Sequence, residues 1–363
     1  MRIDLVEPFY GGSHKAWADG WIAHSSHDIT LASLPATAWR WRMRGAAATL
    51  APALVERASA IGAPELLVAS DMIDLADLVA RVRHSHAGVP TVLYLHENQL
   101  TYPRQPDEAL DVGLAAITWR NLTMADAIWV NSAFHRDELL DALPAFLGSV
   151  PDQDQLVALP AVAEKMRVLP VGVDLPSVGS IRRSRPPLVV SNQRWHHDKD
   201  VAAVMQSLRR LAADDLDFRV AAIGDHRGGA ADEIEPVLDA LGDRVVARGL
   251  QDREAYLTLL AEAELVVSAA RNEFFGIAVV EAVAAGAVPL LPDAVAYPET
   301  MPDWAHATVL YPRGDLQGAL RRAITDAAAR RTSVEGLAAA MAPFGWDVVG
   351  PRYDEAAALV VAQ

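Results

Sequence analysis

The chain has 363 residues, of which 52% are hydrophobic and 22% charged, and it contains no cysteine. These values exclude a disordered chain, a disulfide-stabilised scaffold and a thiolate metal site, and the length suits two domains. The net charge of −15, which both halves share, excludes a basic module that binds nucleic acid tightly without specificity. No apolar run is long enough for a membrane span, and residues 1–4 begin a strand rather than a signal peptide, so we expect a cytoplasmic protein.

Apolar runs alternate with helical patterns along the chain. The first series of predicted strands is Ile3–Val6, Ile29–Leu31, Leu66–Ala69, Val92–Leu95, Ala127–Val130 and Met166–Leu169. Helical patterns between them include Ala46–Ala60 and Ala109–Met124. The second series is Leu188–Val190, Phe218–Ile223, Val245–Ala247, Leu265–Val267 and Val288–Leu291. Strands that alternate with helices predict an α/β fold with parallel, doubly wound sheets. The proline-rich segment Pro170–Pro187, which contains Arg182-Arg183-Ser184-Arg185, is typical of an interdomain linker and hinge.

Two glycines follow the first strand, within the segment Glu7–Lys15. Gly11 and Gly12 allow a ligand to approach the backbone closely, and the helix start at Ser13 and His14 can hold a phosphate or an acceptor group. In isolation a pair of glycines is also compatible with a simple turn.

The segment Trp39–Arg44 is the best candidate for a local nucleic-acid contact. Three arginines alternate with bulky side chains, so a strand would place Arg40, Arg42 and Arg44 on one face, with aromatic rings such as Trp39 nearby to stack on bases. The alternative is an amphipathic strand or loop whose basic face is merely solvated.

Four polar residues follow the strand Val92–Leu95. They are His96, Glu97, Asn98 and Gln99, with Tyr102 close behind. Polar side chains at the end of a buried strand are difficult to explain by packing, so we expect a functional cluster there. Asn131 and Ser132 follow the next strand in the same way, although a helix cap at Ala133 explains them equally well.

In the second half, a polar segment follows the strand Leu188–Val190. Arg194 and Lys199 are spaced so that both can contact one diphosphate, where paired cations would stabilise the charge of a departing nucleoside diphosphate. A rival interpretation is a metal site at His196–Asp198. Adjacent histidines in an extended segment point to opposite sides, which disfavours a shared ion. After the next strand, Gly224 marks a further loop that can approach the ligand.

Two carboxylates, Glu273 and Glu281, stand eight positions apart after the strand Leu265–Val267. We expect Glu273 at a strand-to-helix corner and Glu281 two turns further along a helix that ends at Gly286. One carboxylate can accept hydrogen bonds from sugar hydroxyls and the other from a ribose, which suits a nucleotide-sugar site. Two glutamates at this spacing also occur by chance in many helices.

Together these motifs resemble those of the retaining GT-B glycosyltransferases and, more narrowly, the tRNA-queuosine alpha-mannosyltransferase family. The similarity covers almost the whole chain in order. It includes Glu7–Lys15, Trp39–Arg42, His96–Gln99 with Tyr102-Pro103, Arg194-Trp195 followed by His197–Asp200, Glu273–Gly276, Glu281–Val283, Tyr297–Glu299 and Ala342–Trp346. The resemblance implies two Rossmann-like domains facing a central cleft: an acceptor domain at 1–176 and a nucleotide-sugar domain at 177–340. A final helix at 341–363 would cross back to the first domain.

The resemblance also implies residue roles. GDP-mannose would be the donor and no metal or other cofactor would be needed, because cationic side chains and helix N-termini do that work. Glu273 would contact the hexose, the backbone of Phe274, Phe275, Gly276 and Ile277 would lie near sugar and phosphate, and Glu281 would bind the ribose. His96 would lie close to the transferred sugar, and Gly11, Gly12 and Ser13 near the phosphates and acceptor. The reaction would retain the anomeric configuration by front-face attack.

The sequence leaves the acceptor and the oligomeric state open. The first hypothesis is transfer of mannose to queuosine in tRNA, with Trp39–Arg44 and His96–Tyr102 forming the acceptor side. The second is a glycosyltransferase that acts on a soluble small molecule. A lipid acceptor is disfavoured, because no strongly basic amphipathic helix is evident, and we expect no membrane partner. The third is a nucleotide-sugar-binding protein or epimerase on the same fold.

Overall fold

The computed structural model describes residues 1–104, 108–149, 155–176, 186–226 and 229–363. The chain divides into two compact units. Unit 1 comprises Met1–Gly172 together with Trp346–Gln363, and unit 2 comprises Val173–Gly345. Most of the predicted linker, including Arg182-Arg183-Ser184-Arg185, lies outside the described residues, as does the predicted start of the second domain at residue 177.

Unit 1 contains a six-stranded parallel sheet. Its strands are β1 (Arg2–Tyr10), β2 (Asp28–Pro35), β3 (Leu66–Ser70), β4 (Thr91–Leu95), β5 (Ala127–Val130) and β6 (Met166–Val168). The order across the sheet is β2-β1-β3-β4-β5-β6, so the chain order reverses between β1 and β3. In open α/β sheets, ligands bind beyond the carboxyl ends of the strands beside such a reversal.

Helices cover this sheet. They are α1 (Gly12–His24), α2 (Trp39–Ile61), α3 (Leu75–Val82), α4 (Val112–Met124), α5 (Ala133–Leu147) and α6 (Leu159–Glu164), with a 3-10 turn at Leu156–Ala158. Three of them begin at side-chain caps, because Asp74, Asp111 and Ser132 each accept a hydrogen bond from a backbone N–H in the first turn. Ser132 therefore is the helix cap that the sequence allowed.

The last helix, α15 (Trp346–Val361), belongs to unit 1. Its first residue, Trp346, lies against Gly20 and Gly172, where an added Cβ would come within 2.0 Å and 2.2 Å of the indole. Trp17 Nε1 donates to the Tyr353 hydroxyl at 3.2 Å, and Trp21 Nε1 donates to Asp354 at 3.1 Å. Only glycine leaves room for the indole, so these two glycines fix where the chain end docks.

Unit 2 contains a second six-stranded parallel sheet. Its strands are β7 (Leu188–Ser191), β8 (Arg219–Ile223), β9 (Val245–Gly249), β10 (Leu265–Val267), β11 (Val288–Pro292) and β12 (Leu310–Tyr311). The order is β12-β11-β10-β7-β8-β9, with its reversal between β7 and β10. The site of a ligand is again expected beyond the carboxyl ends of those two strands.

The helices of unit 2 are α7 (Val201–Ala213), α8 (Ala231–Leu241), α9 (Arg253–Glu262), α10 (Ile277–Ala284), α11 (Tyr297–Thr300), α12 (His306–Val309), α13 (Leu316–Thr325) and α14 (Ala327–Ser333). Short 3-10 turns lie at Gly242–Arg244, Asp303–Ala305 and Ala339–Phe344.

The predicted fold class is confirmed. Every predicted strand overlaps an observed one, and both sheets are parallel and doubly wound. The sequence missed β12, which has only two residues, Leu310 and Tyr311. Within the described parts of the chain, no helix combines the length and the apolar character that crossing a membrane requires.

Candidate active site

Buried polar residues gather at the carboxyl edge of the unit 1 sheet. Glu7 lies near the end of β1, and His14 on the helix that follows it. Asp71, His96 and Asn131 come directly after β3, β4 and β5. All five side chains are buried. Since parallel strands end at the same edge, residues far apart in sequence form one cluster there.

Glu7, His14 and His96 are in close contact. His14 Nδ1 lies 3.1 Å from Glu7 Oε2, and the rings of His14 and His96 lie 3.9 Å apart at 35°. Burial lowers the pKa of His14, but neighbouring carboxylates, above all Glu7, outweigh it and raise that pKa to about 9. Burial and then the charge of His14 hold the pKa of His96 well below its usual value. At neutral pH the pair is therefore an imidazolium beside a neutral imidazole.

Two further carboxylates, Asp71 and Glu97, border this cluster. Burial raises the pKa of Asp71 to about 7, and the nearby charge of Glu97 acts in the same direction, although the charge of His14 opposes both. The oxygens of Asp71 accept hydrogen bonds from the backbone N–H groups of His96 and Glu97 at 3.4 Å and 3.3 Å. Asp71 thereby ties the end of β3 to the segment after β4.

Histidine, aspartate and glutamate side chains are the possible metal ligands of this chain. Within the described residues, Glu7, His14 and His96 are the only set of three whose ligand atoms all lie within 4.8 Å of one another. By distance they could hold a metal ion. Two imidazoles that bind one ion must both direct a nitrogen lone pair at it, whereas these rings lie over one another with centroids 3.9 Å apart and planes tilted by 35°. The arrangement therefore fits a hydrogen-bonded ion pair better than a metal centre.

The two predicted glycines differ in their surroundings. Gly11 has extended backbone, and a Cβ there would lie 2.5 Å from the Cβ of Ala36, so its absence allows close packing. Gly12 has φ +53° and no atom within 4 Å of the Cβ position. Ser13, next in α1, is exposed. The open space at Gly12 and Ser13 suits a ligand, whereas Gly11 is explained by packing.

The segment after His96 is held by its own side chains. Asn98 Oδ1 accepts from the backbone N–H groups of Leu100 and Thr101 at 3.1 Å and 2.9 Å, which forms a local turn. Gln99 Nε2 donates to Glu97 at 3.4 Å. Glu97, Gln99 and Tyr102 are half-buried and line the same segment. Asn98 therefore shapes the segment, and its contact with an acceptor stays a prediction.

The segment Trp39–Arg44 is helical, so the expectation of a strand or loop is wrong. It forms the first turns of α2 after Ala38, which has the left-handed backbone φ 52°, ψ 50°. In a helix, Arg40 and Arg44 share a face and Arg42 does not, so the three arginines do not lie together.

The arginines of this segment have separate partners. Arg40 forms an ion pair with Glu108, and Arg44 pairs with Asp111 at 2.7 Å. Arg42 donates to the Pro35 carbonyl and the Thr37 hydroxyl at 3.2 Å and 3.3 Å.

The two tryptophans of this segment have different environments. Trp39 is half-buried, packs against Met43, Met72, Leu114 and Ile117, and carries Arg40 over its ring. Trp41 is 64% exposed. The exposed ring thus belongs to a residue that the sequence analysis did not select.

In unit 2 the predicted cations share one anchor. Arg194 Nη2 lies 3.3 Å and Lys199 Nζ 3.4 Å from Oδ2 of Asp198, which is fully buried. Lys199 also donates to Glu273 Oε2 at 2.9 Å and to the Asn272 carbonyl at 2.7 Å. Burial opposes the ionisation of Asp198, but these cations and His196 outweigh it and strongly lower its pKa. The predicted pair and Glu273 therefore form one network.

The structure corrects the geometric reason given against a metal at His196–Asp198. The segment is a turn rather than an extended strand, and the rings of His196 and His197 lie 4.2 Å apart. His196 Nδ1 lies 2.6 Å from Asp198 Oδ1. His196 thus helps to orient the anchor carboxylate.

Glu281 lies on α10 and is held from α9. Arg253 Nη1 donates to its Oε1 at 2.6 Å, and the Tyr256 hydroxyl donates to its Oε2 at 2.9 Å. Asn192 Nδ2 in turn donates to the Tyr256 hydroxyl at 3.1 Å. Each carboxylate oxygen retains capacity for a further hydrogen bond, so this support orients Glu281 without saturating it.

The residues between the two glutamates provide backbone rather than side chains. Phe274 and Phe275 are buried, and Phe275 packs edge-on against Phe344 at 5.3 Å. Gly276 has φ +98°, which favours glycine, and caps α10, where Ile277 is the first residue. The N–H groups of this helix start are therefore backbone donors beside Glu273.

Gly224 is required by packing. Its φ is +152°, and a Cβ there would lie 2.3 Å from the Gln193 carbonyl oxygen. This places the end of β8 directly against the segment that carries Arg194. Any contact of Gly224 with a donor stays a prediction.

Several supporting residues were not predicted from the sequence. Asp71, Arg253 and Tyr256 lie far in sequence from the residues that they hold. Asp71 follows a buried strand, which was the available signal for it. Arg253 and Tyr256 stand one helical turn apart on α9 and carried no motif that pointed to Glu281.

Comparisons with known proteins agree with this organisation. A family model described as tRNA-queuosine alpha-mannosyltransferase N-terminal matches residues 2–173, and one described as Glycosyl transferases group 1 matches residues 179–336. The tRNA-queuosine alpha-mannosyltransferase of Drosophila melanogaster is 31% identical over 314 residues, which is 83% of this chain and 82% of the fly protein.

Solved structures share the fold at low identity. The sucrose-phosphate synthase of Thermosynechococcus elongatus has a TM-score of 0.75 at 16% identity, over 100% of this chain and 99% of that one. Anabaena HepE in complex with UDP and glucose has a TM-score of 0.68 at 16% identity, over 98% and 99%. The fold is the GT-B architecture of such enzymes. The chain is a glycosyltransferase and belongs to the tRNA-queuosine alpha-mannosyltransferase family.

Proposed function

We propose that this enzyme transfers mannose from GDP-mannose to the queuosine nucleoside of tRNA. The observation that carries the proposal is the 31% identity that extends over 82% of the fly tRNA-queuosine alpha-mannosyltransferase. A match of this length includes parts of both units.

Unit 2 is proposed to bind the donor. Arg194 and Lys199 would contact the diphosphate, which replaces part of their interaction with Asp198. Glu273, released from Lys199, would accept hydrogen bonds from hexose hydroxyls. Glu281 would bind the ribose, and the backbone from Phe274 to Ile277 would donate to the sugar and phosphate.

The proposed reaction breaks the bond between the mannose C1 and the diphosphate oxygen, and forms a bond from C1 to an acceptor hydroxyl oxygen on the same face of the sugar. The hydroxyl proton passes to the departing diphosphate. The positive charge of Arg194 and Lys199 stabilises the negative charge that develops on the leaving group. This is the task that a metal ion performs in other transferases, and we propose that these side chains perform it here.

Unit 1 is proposed to bind the tRNA. Arg40, Arg42 and Arg44 lie in the first turns of α2, where a tRNA phosphate would replace Glu108 at Arg40 and Asp111 at Arg44. Trp41 is the exposed aromatic ring among them and is suited to stack on an unpaired base. The cluster that begins at His96 would contact the queuosine.

A mass-shift assay tests the proposal. Queuosine-containing tRNA is incubated with GDP-mannose, with UDP-glucose as the alternative donor, and its nucleosides are analysed by mass spectrometry. We expect one hexose to be added to queuosine with GDP-mannose. Transfer from UDP-glucose alone would replace the donor assignment. Slow GDP release without transfer to tRNA would overturn the acceptor assignment and favour a small-molecule acceptor.

A further inference from the structure

The pair Glu7 and His14 lies beside a buried ring nitrogen of His96 that has no hydrogen-bond partner among the described residues. This atom, Nε2, is buried and lies 3.9 Å from Glu7 Oε2, beyond hydrogen-bond distance. A buried nitrogen without a hydrogen-bond partner costs stability, and a substrate hydroxyl that donates to it would offset that cost.

The surroundings of His96 fix its ring from several sides. Trp17 and Tyr94 contact it edge-on, with ring centroids 5.1 Å and 4.8 Å away, and His14 covers one face. The Asn131 side chain donates to the His96 carbonyl at 2.9 Å. The ring therefore has little freedom to turn Nε2 towards another partner.

We propose that Glu7 and His14 are positioning residues that keep His96 a neutral imidazole, with Nε2 available to a substrate hydroxyl at the carboxyl edge of the unit 1 sheet. The proposal rests on the proposed glycosyl transfer and assigns to this pair a role in it. A charged His14 whose ring centroid lies 3.9 Å from that of His96 disfavours a second proton on His96, and Glu7 keeps that charge on His14.

The other charged groups around the pair act in consistent directions. Asp71 and Glu97 add to the effect of Glu7 on His14, whose pKa rises to about 9, and the charge of His14 acts together with burial to lower the pKa of His96. Burial lowers the pKa of the neighbouring His135 to about 3, so His135 adds no charge in the neutral and alkaline range. When pH rises through about 9, His14 loses its proton and the arrangement is lost. We therefore expect the rate of transfer to fall on the alkaline side of that value.

The test compares Glu7→Gln and His14→Gln with the parent from pH 6 to pH 10. In Glu7→Gln, the alkaline fall in kcat should move down by roughly 1–3 pH units, the shift that one opposite charge within hydrogen-bond distance produces. His14→Gln should have a lower kcat throughout and lack this alkaline fall. The KM for the donor should change little in either variant. Unchanged pH profiles with a lower Tm would reduce the pair to a structural role and overturn the proposal.

His86 provides a matched control. It pairs with Asp4 of the same strand β1 at 3.0 Å and is equally buried. His86→Gln should lower stability and leave the pH profile of kcat as in the parent. A shift of that profile as large as in Glu7→Gln would overturn the proposal.

A second readout does not depend on turnover. NMR titration of ring-labelled histidine should give one imidazole, absent from His14→Gln, with a pKa near 9 that falls in Glu7→Gln. If the proposed substrates give no transfer, this titration still decides whether the pair holds its charge. If added Zn²⁺ or Mn²⁺ activated the parent and no longer activated His14→Gln, the cluster would be a metal centre. That result would contradict the proposal.

Discussion

The polar clusters of the two units are built differently. In unit 1, Glu7, His14 and His96 are buried and packed against one another, and Glu7 is bonded both to His14 and to the backbone N–H of Phe9. In unit 2, Arg194 is half-exposed, and Lys199 is held by carboxylates that a diphosphate could replace. The side chains of unit 1 are fixed in position before a substrate arrives. The cations of unit 2 are paired with carboxylates until a bound anion replaces them.

The largest effect is expected from Lys199→Ala, which removes one of the two positive charges proposed to bind the diphosphate. We expect kcat to fall by roughly 10²–10³, the usual result of removing one group that stabilises the charge of a transition state. Steady-state kinetics with saturating donor measure it. Arg210→Ala is the control, because Arg210 lies at the end of α7 and contacts Gln317. A fall in kcat of less than threefold would show that Lys199 has no catalytic role.

The next effect concerns the anchor, Asp198→Asn. The variant should bind GDP roughly tenfold more weakly, because the charged oxygen that holds Arg194 and Lys199 side by side is lost, and should lose about 2 kcal/mol of stability. Titration calorimetry and urea unfolding at pH 7 measure both quantities. Equal GDP affinity in the parent and the variant would mean that Asp198 does not organise these cations.

The same variant has a pH dependence with a defined sign. Because the folded protein lowers the pKa of Asp198, its ionised form stabilises the fold above the ordinary value of 3.8, and this stabilisation is lost as pH falls below it. The difference in unfolding free energy between the parent and Asp198→Asn should therefore shrink between pH 5 and pH 3. A constant difference would show that the loss comes from packing alone.

These comparisons also show where sequence reasoning succeeds. Buried strands have distinct apolar runs, and polar residues in the segments after them were selected because parallel strands end at one edge. His96 directly follows β4, and Lys199 lies in the segment between β7 and α7. The partners of those residues arrive from other elements. Tyr256 meets Glu281 only through the packing of α9 against α10, which no local pattern specifies.

The start of α2 shows a local pattern that was misinterpreted. Alternating arginines and bulky residues at Trp39–Arg44 have the period of a strand, yet the segment is helical. The long helical run through Ile61 extends backwards to Ala38, and the packing of Trp39 and Met43 in one apolar cluster stabilises that extension. Tertiary contacts therefore outweighed an alternating pattern that is only six residues long.

A smaller effect is expected from Trp41→Ala, which tests the acceptor side of unit 1. Loss of one stacking platform should raise the KM for tRNA roughly fivefold to tenfold, since stacking on a base contributes about 1–3 kcal/mol by alanine substitution. The KM for the donor should not change. Trp304→Ala is the matched control, because Trp304 is 55% exposed in unit 2. Equal effects of the two substitutions on tRNA would refute a specific role for Trp41.

The smallest effect is expected from Gly45→Ala, which separates the position of Trp41 from its presence. A Cβ at residue 45 would lie 2.9 Å from the indole of Trp41, so the exposed ring must move aside. Alanine in place of glycine within a helix should otherwise stabilise the protein by roughly 0.5–1 kcal/mol. We expect a higher Tm together with a KM for tRNA raised about twofold to threefold, consistent with partial loss of a stacking contact.

Opposite changes in stability and binding would be hard to attribute to damage of the fold. In the double variant Trp41→Ala/Gly45→Ala, the ring is already absent, so the second substitution should weaken tRNA binding no further. If Gly45→Ala instead weakens binding equally with and without Trp41, the glycine itself contacts the RNA. In that case the indole of Trp41 would not be the group through which unit 1 binds its tRNA acceptor.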